Sequence, residues 1–135
     1  MTLTQVEKER YNRHIITTGF GEEGQLKLKA AKVLVIGAGG LGCPVIQYLV
    51  AAGVGQIGIV DGDTVSLSNL QRQILYTEEE IGHPKAAIAA AKMNRLNTLA
   101  DIRVFNTFLT EEFADQLFPE YDLVVGCTEI TTPDI

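Results

Sequence analysis

Tryptophan is absent, cysteine occurs only twice, and basic residues are scarce in this 135-residue chain. The two cysteines, Cys43 and Cys127, stand 84 positions apart (127 − 43) and form no C-x-x-C pair. From that spacing neither a cysteine-built zinc site nor a disulfide framework can be argued. No signal peptide is visible, so a reducing, cytoplasmic compartment is the expectation. The 11 Lys and Arg are outnumbered by 17 Asp and Glu, giving a net charge of −6 and a pI of 4.8. Nucleic-acid backbones are held by clustered Lys and Arg, so a nucleic-acid partner is not expected. The same scarcity makes any basic residues that converge on one site informative.

Charge is also missing from Val33 to Val60, a run long enough to cross a bilayer. Gly37, Gly39, Gly40, Gly42, Gly53, Gly55 and Gly58 divide that run. No uninterrupted apolar helix of about 20 residues fits between them, and a membrane segment is not expected.

What remains is the composition of a folded domain, 46% apolar and 21% charged, sized for one domain or part of a larger one. Thr4-Gln5-Val6-Glu7 is a capping box that predicts a helix running to about Ile16. A second helix is predicted over roughly 22–31, so residues 1–31 form an N-terminal segment of two helices. From Lys32 the pattern changes. Lys32-Val33-Leu34-Val35-Ile36 is apolar without alternation, as a strand buried on both faces must be. A helix over 41–52, closed by Gly53, and a strand over 56–60 complete a strand–loop–helix–strand unit.

Thr77-Glu78-Glu79-Glu80 caps a short turn, and Pro84 is predicted at the first position of a helix reaching about Asn97. A third strand over 101–106, a short helix over 110–118 and a fourth strand over 121–126 follow. Strands alternating with helices predict an α/β, Rossmann-like domain over 32–135, with a parallel sheet of about four strands and flanking helices.

Gly37-Ala38-Gly39-Gly40-Leu41-Gly42 fits G-x-G-x-x-G, between a strand and a helix. In that setting glycine permits a tight turn and close backbone approach to a phosphate, which the helix N-terminus attracts. Asp61 ends the next strand, 24 positions after Gly37 (61 − 37), where a carboxylate can accept ribose hydroxyls. The competing account is a glycine turn used only for close helix–strand packing, and strand, helix and Asp61 together favour a nucleotide.

Two basic residues stand where local rules disfavour or do not require them. Lys85 occupies the first turn of its helix, where a cation opposes the helix dipole at about 0.3–1 kcal/mol. Such violations concentrate at functional positions, although a solvated surface lysine is the alternative. Arg72 lies in Ser68-Asn69-Leu70-Gln71-Arg72-Gln73, a polar insertion after the second strand. Loops leaving that end of a parallel sheet face the nucleotide crevice, so Arg72 and Asn69 are candidates for phosphate contact. Arg13 has a local explanation, a helical surface pair with Glu9 four residues earlier. His14 and His83 read as structural, and Cys43 and Cys127 as small buried residues.

Arg10-Tyr11-Asn12-Arg13-His14-Ile15, the Gly37–Gly42 loop, Asp61-Gly62-Asp63-Thr64-Val65, Ser68 to Gln73 and Gly82-His83-Pro84-Lys85 occur in a fixed order. Together, across about residues 8–128, they resemble the ThiF/MoeB/HesA family, relatives of ubiquitin-activating enzymes. The resemblance implies an adenylyltransferase that joins AMP from ATP to the C-terminal glycine of a ubiquitin-like sulfur-carrier protein ending in Gly-Gly. Thiamine and molybdopterin types of that chemistry both fit. It implies ATP contacts at Gly37, Gly39, Gly40, Gly42, Asp61 and Asp63, and at Ser68, Asn69, Gln71, Arg72 and Lys85. Catalytic roles fall to Arg72, Lys85 and Arg13, the last reaching the phosphates of the other protomer of a homodimer.

Where the family has Cys-Thr-Asp-Asn, with its Asp helping to hold Mg2+, this chain reads Cys127-Thr128-Glu129-Ile130. Glu129 is then the candidate magnesium ligand. The family's carrier-binding strands and zinc cysteines have no counterpart before Ile135, so the chain is expected to be the ATP-binding half, with its fourth strand at an open edge. Two other functions compete: a nucleotide-binding or dimerising module without chemistry, and an NAD-linked oxidoreductase. The second leaves Asn69, Arg72 and Lys85 unexplained.

Overall fold

A computed structural model describes residues 1–128. Its first helices are α1 (Gln5–Arg10), α2 (Asn12–Ile15) and α3 (Gly21–Ala30). The capping box forms as predicted: Thr4 Oγ1 accepts from the Glu7 N–H at 3.2 Å, and Glu7 Oε1 accepts from the Thr4 N–H at 2.8 Å. The single helix predicted to Ile16 is interrupted, however. Tyr11 leaves helical geometry (φ −103°, ψ 16°) and turns its ring into the protein, where its hydroxyl accepts from Asn97 Nδ2 at 2.8 Å. The break places Arg13 on a separate element, and no ion pair with Glu9 is present among the described residues.

β1 (Lys32–Ile36), α4 (Gly42–Ala52) and β2 (Gln56–Val60) follow the predicted unit closely. After an excursion over 61–84 come α5 (Lys85–Leu96), β3 (Asp101–Phe105), α6 (Glu111–Leu117) and β4 (Leu123–Gly126). Pro84 is the N-cap of α5 rather than its first residue, because its ψ of 127° is extended. The four strands are parallel in the order β3-β2-β1-β4. Val33 to Ile36 and Ile57 to Val60 are all buried, as central strands covered on both faces require, whereas β3 and β4 at the edges are half exposed.

The sheet separates two cores. Val33 and Val35 point to the face shared with α4 and α5, packing near Ile46, Val50, Ala89 and Met93. Leu34 and Ile36 point to the other, with Val60, Leu117 and the partly buried Phe113. Gly53 closes α4 in the left-handed region (φ 97°), and a side chain there would strike Gln25 and Tyr11. Among the described residues no helix is long and apolar enough to cross a membrane.

Candidate functional site

All four strands run the same way, so their carboxyl ends share one edge of the sheet. A cavity of about 500 Å³ opens there, lined by Ile36 and Gly37 after β1, Val60 to Asp63 after β2, Thr107 to Leu109 after β3, and Cys127 and Thr128 after β4. That is where parallel sheets bind ligands.

The glycine loop forms the floor. Gly37 adopts φ 103°, and a methyl group on it would lie 2.9 Å from the Cys127 backbone. A methyl on Gly42 would lie 1.8 Å from the Gly37 carbonyl oxygen. Gly42 therefore serves helix–strand packing and does not line the cavity, unlike Gly37, Gly39 and Gly40. The Gly39 and Gly40 N–H groups take no partner among the described residues.

Asp61 organises this floor. One carboxylate oxygen accepts the Ala38 N–H and the other the Asp63 N–H, each at 2.7 Å. Its side chain ties the loop after β1 to the loop after β2, and each oxygen keeps further acceptor capacity at the cavity wall.

The excursion over 61–84 supplies the wall, and backbone bonds close it like a clasp. Val65 N–H donates to His83 O at 2.9 Å, Gly82 N–H to Val65 O at 2.8 Å, and Lys85 N–H to Asp63 O at 3.0 Å. Within it, Asn69 Oδ1 accepts from the Ser66 hydroxyl at 2.7 Å and caps a short 3-10 turn. Arg72 donates to the Ser68 carbonyl at 3.3 Å. Asn69 and Arg72 line the cavity, whereas Ser68 and Gln71 do not: Gln71 Nε2 donates to Ser68 O at 3.4 Å on the exposed outer side of the turn. Leu75 and Tyr76 plug the excursion into the core, and Lys92 ties its far side through Leu75 O and Glu80.

Tyr76 carries a buried hydroxyl that donates to Ala38 O at 2.5 Å and lies 3.5 Å from Lys85 O. The Cys43 thiol also reaches Ala38 O, at 3.2 Å. Burial pushes both groups above their ordinary pKa, so both stay protonated donors, and Cys43 is no reactive thiolate despite its place at a helix N-terminus. Burial likewise raises the Cys127 thiol.

Lys85 is not the solvated surface lysine that its position allows. It is only 5% exposed, lines the cavity, and makes no ion pair among the described residues. Its Nζ takes no hydrogen-bond partner among the described residues and stays open to the cavity, where it is placed to meet an incoming anion. Arg13 is exposed on α2 and does not line this cavity. Glu129 lies outside the described residues. Asp61 and Asp63 reach the cavity, but no three His, Cys, Asp or Glu side chains converge to hold a metal among the described residues.

Two parts of the wall escape a motif-based reading. Thr107, Phe108 and Leu109 enter because the third strand also ends at this edge, a consequence of topology. Phe108 is 63% exposed, and its ring lies so close over Gly62 that a methyl there would stand 2.5 Å from it. Gln73 is the second: 3% exposed, beside Gly39, with a sealed Oε1 that has no hydrogen-bond partner. An orphaned acceptor costs about 1–3 kcal/mol. No sequence signal sets it apart from its polar neighbours; its burial does.

Comparison with known proteins agrees with this architecture. The sulfur carrier protein adenylyltransferase of Thermus thermophilus is 49% identical over 129 residues, covering 96% of this chain and 48% of the relative. The molybdopterin-synthase adenylyltransferase of Haemophilus influenzae is 45% identical over 127 residues, covering 94% and 52%. The chain thus spans about half the length of these curated relatives. The structure of an E. coli tRNA N6-threonylcarbamoyladenosine dehydratase, TcdA, in complex with ATP superposes with a TM-score of 0.87 at 24% identity, covering 98% of this chain and 54% of that one. The model of the ThiF family matches residues 11–130. A match that runs through every strand of the sheet and every wall of the cavity places this chain in the ThiF family.

Proposed function

We propose that this chain supplies the ATP-binding half of an adenylyltransferase acting on a ubiquitin-like sulfur-carrier protein that ends in Gly-Gly, of the thiamine or molybdopterin type. The observation that carries the proposal is Lys85, a residue only 5% exposed that lines the same cavity as Arg72 and the Gly39 and Gly40 N–H groups, which take no partner among the described residues. Such a concentration of donors in a chain of net charge −6 suits a polyphosphate.

A carboxylate oxygen of the carrier's terminal glycine bonds to the α-phosphorus of ATP. The bond from that phosphorus to its bridging oxygen breaks, and pyrophosphate leaves with the electron pair. Anion approaches anion, and negative charge grows on the leaving group. Fixed cations at Arg72 and Lys85 stabilise that charge without reorganising. Asp61, its backbone bonds made, accepts ribose hydroxyls with its remaining lone pairs. In the same reading the protein is a homodimer, and exposed Arg13 serves phosphates bound by the second copy.

Calorimetric titration with ATP tests the binding half, and saturable binding is expected. Isotope exchange between pyrophosphate and ATP, with a Gly-Gly-ended carrier present, tests the reaction. NADH binding that ATP does not displace refutes the proposal. Binding without exchange assigns a module without chemistry.

A further inference from the structure

The carboxamide of Gln73 has no stabilising task in the nucleotide-free protein. It is 3% exposed, its Oε1 is sealed without a partner, and no hydrogen bond from its Nε2 exists among the described residues. Methionine or leucine fills such a space without leaving polar atoms unpaired. The position is nevertheless a wall of the cavity. A methyl on Gly39 would stand 3.3 Å from Nε2 and 3.7 Å from Cδ, so the amide nitrogen faces the phosphate-binding loop.

The groups around it restrict what it can meet. Gly39 and Gly40 offer N–H donors, and Arg72 and Lys85 offer charged ones. A ligand gathered by so many donors presents acceptor oxygens on this side, and a triphosphate presents nothing else. We infer that Gln73 is a direct phosphate contact, its Nε2–H donating to the phosphate chain at Gly39. This rests on the ATP reading and adds to it an uncharged donor. Fold stability in the absence of ligand is set aside at this position for binding.

The test is Gln73→Met, which keeps length and shape, with Gln73→Glu as a second variant that keeps shape and polarity but replaces the donor with a carboxylate. Melting temperature without ligand and calorimetric affinities for ATP and adenosine are measured for each and for the wild type. Gln73→Met is expected to melt no lower than wild type and to bind ATP about tenfold more weakly, with adenosine affinity unchanged. Gln73→Glu is expected to lose more ATP affinity than Gln73→Met, through repulsion. Wild-type ATP affinity in both variants, or a loss shared equally by adenosine, overturns the inference while leaving ATP binding intact. A lowered melting temperature with ATP affinity preserved marks a structural glutamine and also overturns it. Failure of the wild type to bind ATP removes the reading on which the inference rests.

Discussion

Gly42→Ala sets two physical effects against each other. Gly42 opens α4, and alanine is the better helix former by up to about 1 kcal/mol. Local propensity therefore predicts a small stabilisation. Tertiary geometry predicts the opposite, because the new Cβ would stand 1.8 Å from the Gly37 carbonyl oxygen and 2.7 Å from its carbon. Ordinary C···O contacts begin at roughly 3.3 Å, so the backbone must open by about 1.5 Å. Neither side yields freely. Gly37 is held by Val60 O at 2.8 Å and already occupies φ 103°, while α4 buries Cys43, Ile46 and Val50 against the sheet. Overpacking by one methylene costs about 1–3 kcal/mol where side chains can adjust, and here both partners are backbone. A net loss of about 3 kcal/mol lowers the melting temperature of a domain this size by roughly 10 °C. Scanning calorimetry measures it, with Gly40→Ala as the control. Among the described residues a methyl on Gly40 finds only Arg72 Nε, at 4.0 Å, so its melting temperature should hold while ATP affinity falls. If Gly42→Ala melts within about 3 °C of wild type, the steric account is wrong.

Three further outcomes are expected. Lys85→Met keeps the stem and removes the charge, so ATP affinity should fall roughly 10- to 150-fold, from about 1.5–3 kcal/mol of lost charged hydrogen bonding. The nucleotide-free protein should melt no lower, and unchanged ATP binding by titration would remove Lys85 from the site. Phe108→Ala removes an exposed cavity wall, so stability should barely change; losing one aromatic contact of about 0.5–1.5 kcal/mol should weaken ATP two- to tenfold by the same titration. Glu7 is pushed up by burial, but hydrogen bonds from Lys29 and Thr4 outweigh that and hold its carboxyl below the ordinary value. A depressed folded-state pKa gives stability that is complete above about pH 4.3 and lost as pH falls through the folded value. Urea titrations between roughly pH 3 and 6 should therefore show a slope that Glu7→Gln flattens; parallel slopes would disprove it.

The strands, the glycine loop and α5 were legible because each rests on a local rule: apolar runs without alternation, a turn only glycine enters, a cap. What escaped depends on partners distant in sequence. The break at Tyr11 was invisible because capping and periodicity both favour a continuous helix, and only the buried hydroxyl paired with Asn97 explains it. Lys85 violated a dipole rule that marked it, but its burial follows from the clasp over 61–84. Gln71 and Gln73 stand two positions apart in one polar segment, and only their opposite exposure separates them.

The clasp also explains why so few side chains suffice to build the cavity. Asp61 fixes Ala38 and Asp63, Asp63 O fixes the Lys85 N–H, and the Tyr76 hydroxyl donates to Ala38 O. These bonds tie the glycine loop and the end of β2 to the first turn of α5. Donors held that way lose little entropy when an anion arrives, and their alignment is set before binding. Lys85 therefore needs no carboxylate to position it. A neighbouring acid would neutralise the charge that the cavity is built to present, whereas backbone bonds place the residue and leave its ammonium available.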